Sequence, residues 1–172
     1  MAELTETFTT AAGIVLQLLR PRRFDVLLVD TALLRSEPKP PKKKTETAFG
    51  VEEIPDASAP GYQQERNLWL IDRGKRVLDF HLLEYVQVDV PDPLPDDILL
   101  SYERMTALGI APPYDLATAD GRKLAYLRRM LDEQDTTRLQ LALRRLASPS
   151  EEEIRSAEES FPGPVPGAAA DG

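Results

Sequence analysis

The only histidine of the chain, His81, follows Asp79 by two residues and precedes Glu84 by three. An imidazole beside carboxylates is the minimum for proton transfer or for holding a metal. One imidazole with no second ligand motif falls short of a site, so a histidine on a helix surface or core rim is the competing reading. A second group, Asp89, Asp92, Asp96 and Asp97, offers the oxygens that Ca²⁺ and Mg²⁺ accept. Prolines interleave these aspartates and no glycine supplies the sharp turn of a calcium loop, so solvation and helix capping account for them. "TADGRK", from Thr118, has one glycine ahead of two basic residues but not the repeated glycines that bring a backbone onto a pyrophosphate. It reads as a helix start. The chain has no cysteine, which removes thiolate nucleophiles, thiolate metal sites and disulfides. GxSxG and HExxH are also absent, and the reading is of a protein without turnover, cofactor or metal.

Composition narrows the partners. At 172 residues the chain fits one core with flexible ends. A formal net charge of −8 opposes non-specific phosphate binding, which depends on Lys and Arg displacing counterions, so nucleic acid is not expected. The apolar run "AAGIVLQLL" is interrupted by Gln17 and ends at "RPRR", well short of the roughly 20 residues a membrane span needs. No signal peptide or membrane anchor is expected.

The elements that would position these residues are predominantly helical. Gly13–Leu19 and Phe24–Val29 are short apolar runs separated by "RPRR", which suits two strands and a turn; a helix through Val26–Leu34 is the alternative. Residues 36–60 hold five prolines and the lysine cluster Lys39, Lys42, Lys43 and Lys44, and read as an extended, partly polyproline arm outside the core. From Tyr62 a helical period begins. Leu68, Ile71, Leu78, Leu82 and Tyr85 form one stripe, widened by Trp69, Val77 and Phe80. This predicts the longest and most buried helix, with close packing or a bend at Gly74. "VPDPLP" stops it, Asp96 or Asp97 caps the next helix, and Gly109 ends that one. Leu124, Leu127 and Leu131 mark a third helix, and Thr136–Ala147, capped by Asp135, a fourth with Leu139, Leu143 and Leu146 inward.

"SPSEEEIRSAEESFPG" reads as a fifth helix, with Ser148 as N-cap, Pro149 at the first position and Glu151 closing a capping box. Its apolar stripe, Ile154, Ala157 and Phe161, is thin, so it docks weakly at home or completes its docking on another chain. The expected fold is mainly α: about five helices over 61–161, a short N-terminal β or extended element over 1–35, the arm over 36–60, and a disordered tail over 162–172. Partner contacts fall to Ile154 and Phe161, to Trp69 and Phe80 if the long helix is incompletely covered, and to Lys42, Lys43 and Lys44, whose cluster on an acidic chain can steer association. Core for the aromatics and a solvated linker for the lysines are the plainer readings.

The feature order resembles small tail-morphogenesis proteins of tailed bacteriophages. "EEIPDASAPGYQQERNLWL", "YERMTALGI" and "AYLRRMLDEQDTTRLQLALRRLASPSEEEIRSAEESF" carry that resemblance over roughly residues 52–161. Within the group the pattern is most similar to tail assembly chaperones. The resemblance implies helical proteins that bind tape-measure and tail-tube subunits in the host cytoplasm, often as homo-oligomers. The proline-lysine arm and the apolar N-terminal segment depart from the shorter members. A head-to-tail adaptor or tail-completion subunit, retained in the virion, is the alternative, and a small metal-binding protein or enzyme using His81 is a third class.

Overall fold

The computed structural model describes residues 4–47, 49–149 and 151–160. Its elements run β1 (Leu4–Thr9), β2 (Val15–Leu19), α1 (Arg23–Leu34), β3 (Lys42–Thr47), β4 (Gly50–Pro55), α2 (Pro60–Tyr85), β5 (Val86–Gln87), α3 (Asp96–Ala107), α4 (Ala119–Met130), α5 (Glu133–Ala147) and α6 (Glu151–Ser160).

Six helices and two antiparallel sheets among the described residues correct the expectation of a mainly α chain of about five helices with one short β element. Two local causes explain the difference. Residues 42–55 form a hairpin instead of a polyproline arm, because "KKKTET" and "GVEEIP" lack internal proline and zip in register from Lys42↔Pro55 to Thr47↔Gly50. The second apolar run, Phe24–Val29, is helical, as the alternative reading had it. The tail over 162–172 lies outside the described residues.

The N-terminal hairpin supplies the floor of the core. β1 and β2 pair antiparallel with Phe8 opposite Leu16, and β5 adds to the far edge of β2 with Val86 opposite Leu18. The link between β1 and β2 turns at Gly13, whose φ of +80° disfavours residues with a side chain. Thr10 closes that turn: its backbone amide donates to Ile14 O and its hydroxyl accepts from Ile14 N–H at 3.0 Å. On the sheet's inner side, Phe8, Leu16 and Leu18 meet Leu78, Leu82 and Tyr85 of α2, Leu124 and Leu127 of α4, Leu131, and Leu139 and Leu143 of α5. Leu16, Leu18, Leu82, Leu127 and Leu139 are fully buried, each contributing about 1.5–3 kcal/mol by leaving water. A smaller cluster of Leu94, Ile98 and Ala125, with Tyr102, Tyr114 and Met130 against it, joins α3 to α4.

Chain punctuation is partly as expected. Pro60, read as the end of the arm, instead opens α2 within its first turn. Gly109, at φ +70°, ends α3 with paired bonds from Gly109 N–H to Thr106 O and Ile110 N–H to Met105 O, a left-handed cap. Thr118 caps α4 by accepting from Gly121 N–H at 3.0 Å. Three caps differ. Pro95 precedes α3, leaving Asp96 and Asp97 inside its first turn; Asp132, not Asp135, caps α5; and the Ser148 hydroxyl donates back to Arg144 O, finishing α5 instead of starting α6.

At 26 residues α2 is the longest helix, roughly 39 Å at the usual rise. It is not buried throughout. Only Leu78, Leu82 and Tyr85 are buried, while Leu68 and Ile71 of the predicted stripe are exposed. A side chain at Gly74 would meet open space, so neither close packing nor crowding explains that glycine. The sheet and α4 cover only the last two turns of α2, and its first two-thirds carry a separate layer.

Candidate partner-binding surface

That layer is α1, laid along the first part of α2. The arginines of α2 hold it: Arg73 pairs with Asp30, and Arg66 Nε donates to Glu37 at 3.1 Å. Trp69 lies between them, half-buried, donating from Nε1 to Ser36 Oγ at 3.2 Å while the Arg73 guanidinium sits 5.6 Å from the ring centre. On α1 the half-buried residues Val29, Asp30 and Leu33 share this inward side.

The opposite side of α1 is the more apolar one. Phe24, Leu27, Leu28 and Leu34 follow the helical period and are 68, 62, 51 and 46% exposed. A surface helix normally turns its apolar stripe to its own core; here Val29 and Leu33 face home beside Asp30, and four large apolar side chains face out. Leu68 and Ile71 on α2 and Val51 and Ile54 on β4 are exposed as well, and Phe49 at the hairpin tip is 95% exposed. Apolar side chains clustered on one part of a molecule mark contact surfaces, whereas scattered ones do not.

The sequence-predicted contact residues separate into four places. Lys42, Lys43 and Lys44 are exposed on β3, Lys42 pairing with Glu53 at 3.5 Å on the facing strand. Ile154 is exposed on α6. Phe80 turns inward, packed against the core and edge-on to Tyr85 with ring centres 5.8 Å apart. Phe161 lies outside the described residues. The structure therefore brings Trp69 together with α1, and keeps Phe80 and Ile154 apart from it. Sequence reasoning missed Phe24, Leu27 and Leu28 as surface residues, because an apolar run alone does not say which way its stripe points.

His81, Asp79, Asp92 and Asp97 each meet partners within the fold. His81 stands between Phe80 and Tyr85, with ring centres at 6.1 and 6.0 Å. Burial, and then the charge of Arg144, hold its pKa below the ordinary 6.5. Asp79 engages other groups: it accepts from the Tyr114 hydroxyl at 3.0 Å and from Arg128 Nε at 2.9 Å, tying α2 to α4. Asp97 pairs with Arg129 and Asp92 with Arg122. Among the described residues no group of three or more His, Asp or Glu is arranged to hold a metal ion.

One cavity of about 860 Å³ opens between α3 and residues 112–117. Leu99, Tyr102, Pro112, Pro113, Tyr114 and Leu116 give it apolar walls, with Glu103 and Asp115 also on its lining. Among the described residues no helix is long and apolar enough to cross a membrane. No family model, curated protein or solved structure matches this chain.

Proposed function

We propose that this chain is a non-enzymatic assembly protein of a bacteriophage tail, a tail assembly chaperone that binds tape-measure or tail-tube subunits. The observation that carries this reading is the set of large apolar side chains left exposed on α1, on the first part of α2 and on the β3–β4 hairpin, while the core lies elsewhere. Such a surface suits the groove-and-helix mode by which helical clients are covered. The chain's net charge of −8 supports solubility of the resulting complex.

A second reading, a head-to-tail adaptor or tail-completion subunit, draws on the hairpin itself. Every residue of β4, and all of β3 but Thr47, is exposed. A two-stranded hairpin is marginal alone in water, and an arm lying on the next subunit of a ring would gain the missing cover.

Co-expression with tape-measure and tail-tube subunits from the same genome separates the readings. The chaperone reading expects more soluble client, co-purification, and no peptide of this chain in finished particles by mass spectrometry. Stoichiometric retention in particles would favour the structural reading. Absence of both co-purification and retention would overturn both readings.

A further inference from the structure

We infer that α1 is one half of a two-fold contact between two copies of this chain, and that the acidic helix α6 of the second copy is the other half. This names a partner for the α1 stripe and rests on the reading of the chain as an assembly protein.

The first support is the outward apolar stripe of α1. Its apolar stripe, Phe24, Leu27, Leu28 and Leu34, faces away from the domain that holds it. The second is charge. Residues 20–44 contain Arg20, Arg22, Arg23, Arg35, Lys39, Lys42, Lys43 and Lys44 against Asp25, Asp30 and Glu37, eight against three, a balance of +5. The whole chain is at −8, so the remainder stands at −13. The acids of the segment are turned home: Asp30 is taken by Arg73, Glu37 by Arg66, and Asp25 is half-buried. Arg22 and Arg35, at the two ends of α1, are exposed. The outward surface is therefore an apolar stripe with basic ends, on a molecule that is otherwise acidic.

Its complement occurs in the same chain. Residues 151–160 carry five glutamates and one arginine, and Ile154 is exposed among them. A helix rich in glutamate with an exposed Ile154 matches a basic-ended apolar one, since complementary charge sets partner and register while the apolar contact supplies affinity.

The third support is placement. Arg20, just ahead of α1, donates to Leu146 O at 3.1 Å and to Glu153 of α6 at 2.5 Å, so α6 begins beside the segment that leads into α1. Two complementary halves side by side on one molecule are what an isologous contact requires, because a two-fold axis between them sets each half on its opposite in the partner.

The test is the mass in solution of the full chain, by light scattering on a sizing column or by sedimentation velocity, at tens of micromolar. A dimer is expected, with at least tenfold weaker association in the double variant Leu27→Glu/Leu28→Glu, whose circular dichroism should match the parent. Two charge reversals then probe the pairing: Arg22→Glu/Arg35→Glu on α1, and lysine in place of Glu151, Glu152, Glu158 and Glu159 on α6. Each alone should be monomeric, and their equimolar mixture should recover dimer, because both α1–α6 contacts of the mixed pair are attractive again. A monomeric parent chain, or a dimer that survives either reversal, would overturn the inference. Client co-purification by a monomeric chain would leave the chaperone reading standing while removing this one.

Discussion

The backbone amide of Ala11 donates to Oδ2 of Asp135 at 2.8 Å, joining positions 124 residues apart. Asp135 is 1% exposed, within the first turn of α5, and its other oxygen accepts from Arg138 Nη1 at 3.2 Å. The same guanidinium lies 5.1 Å from the centre of the Phe8 ring. One carboxylate thus ties the β1–β2 turn to α5 and sets the cation that covers Phe8.

Asp135→Ala removes a buried, charged acceptor and leaves the Ala11 amide unsatisfied. Hydrogen bonds to charged groups contribute about 1.5–3 kcal/mol, and Asp135 accepts from both Ala11 and Arg138, so a cost of about 3 kcal/mol is expected. For a chain of this size that lowers Tm by about 6–12 °C. Asp135→Asn keeps one oxygen for Ala11 and should lose less than half as much. Urea denaturation of the three proteins checks the order, and a loss below about 1 kcal/mol for Asp135→Ala would show that the contact does not hold the turn.

That residue also shows where sequence reading stops. Asp135 was legible as a helix-start aspartate, but its partner lies 124 positions away and leaves no local trace. Legible features were those written in local chemistry: the proline break after Val90, Gly109 ending α3, and Leu124, Leu127, Leu139 and Leu143 as core. The β3–β4 hairpin was not legible, because alternation signals a strand only when one face is buried, and neither face of this one is. The outward turn of α1 was hidden for the converse reason. An apolar stripe is read as core by default, and only the inward pairing of Asp30 and Glu37 shows which side is home.

Gly121 is required for a steric reason. It sits in the first turn of α4 beneath the Thr118 cap, and a Cβ there would lie 1.9 Å from the Asp115 carbonyl oxygen. That atom is backbone, so the loop must shift to admit a methyl group. Gly121→Ala should cost about 1–3 kcal/mol as overpacking does, despite alanine's better helix propensity. Gly74→Ala, where nothing lies within 4 Å, should gain up to about 1 kcal/mol from that propensity. Opposite shifts in the thermal midpoint check the pair, and a stabilised Gly121→Ala would refute the close approach.

His81 gives stability a pH dependence of definite sign. Burial lowers its pKa in the folded chain below 6.5, so the unfolded chain takes up the proton first as pH falls. The unfolded state then binds more protons, and stability declines with falling pH. The contribution is fully present above the ordinary histidine value and lost through the window below it. Carboxylates also act in acid, so the reading is a difference: between pH 7.5 and 5.5 the parent should lose more stability than His81→Gln. Equal losses in the two proteins would place His81 in water.

Leu68 and Leu82 lie on the same helix, and the two should answer differently to truncation. Leu82 is fully buried against the sheet, while Leu68, nearly four turns earlier, is 61% exposed. Leu82→Ala leaves a cavity between α2 and β2 and should cost about 2–5 kcal/mol. Leu68→Ala should stay within about 0.5 kcal/mol in the isolated chain, as exposed substitutions do. If a bound protein covers the first part of α2, the equality with the parent fails in the complex, and Leu68→Ala weakens binding without weakening the fold. Denaturation of the free chain together with client co-purification by each variant reads both effects. A Leu68→Ala variant as unstable as Leu82→Ala would mean that the first part of α2 is packed within the chain, which would remove the surface on which the assembly reading depends.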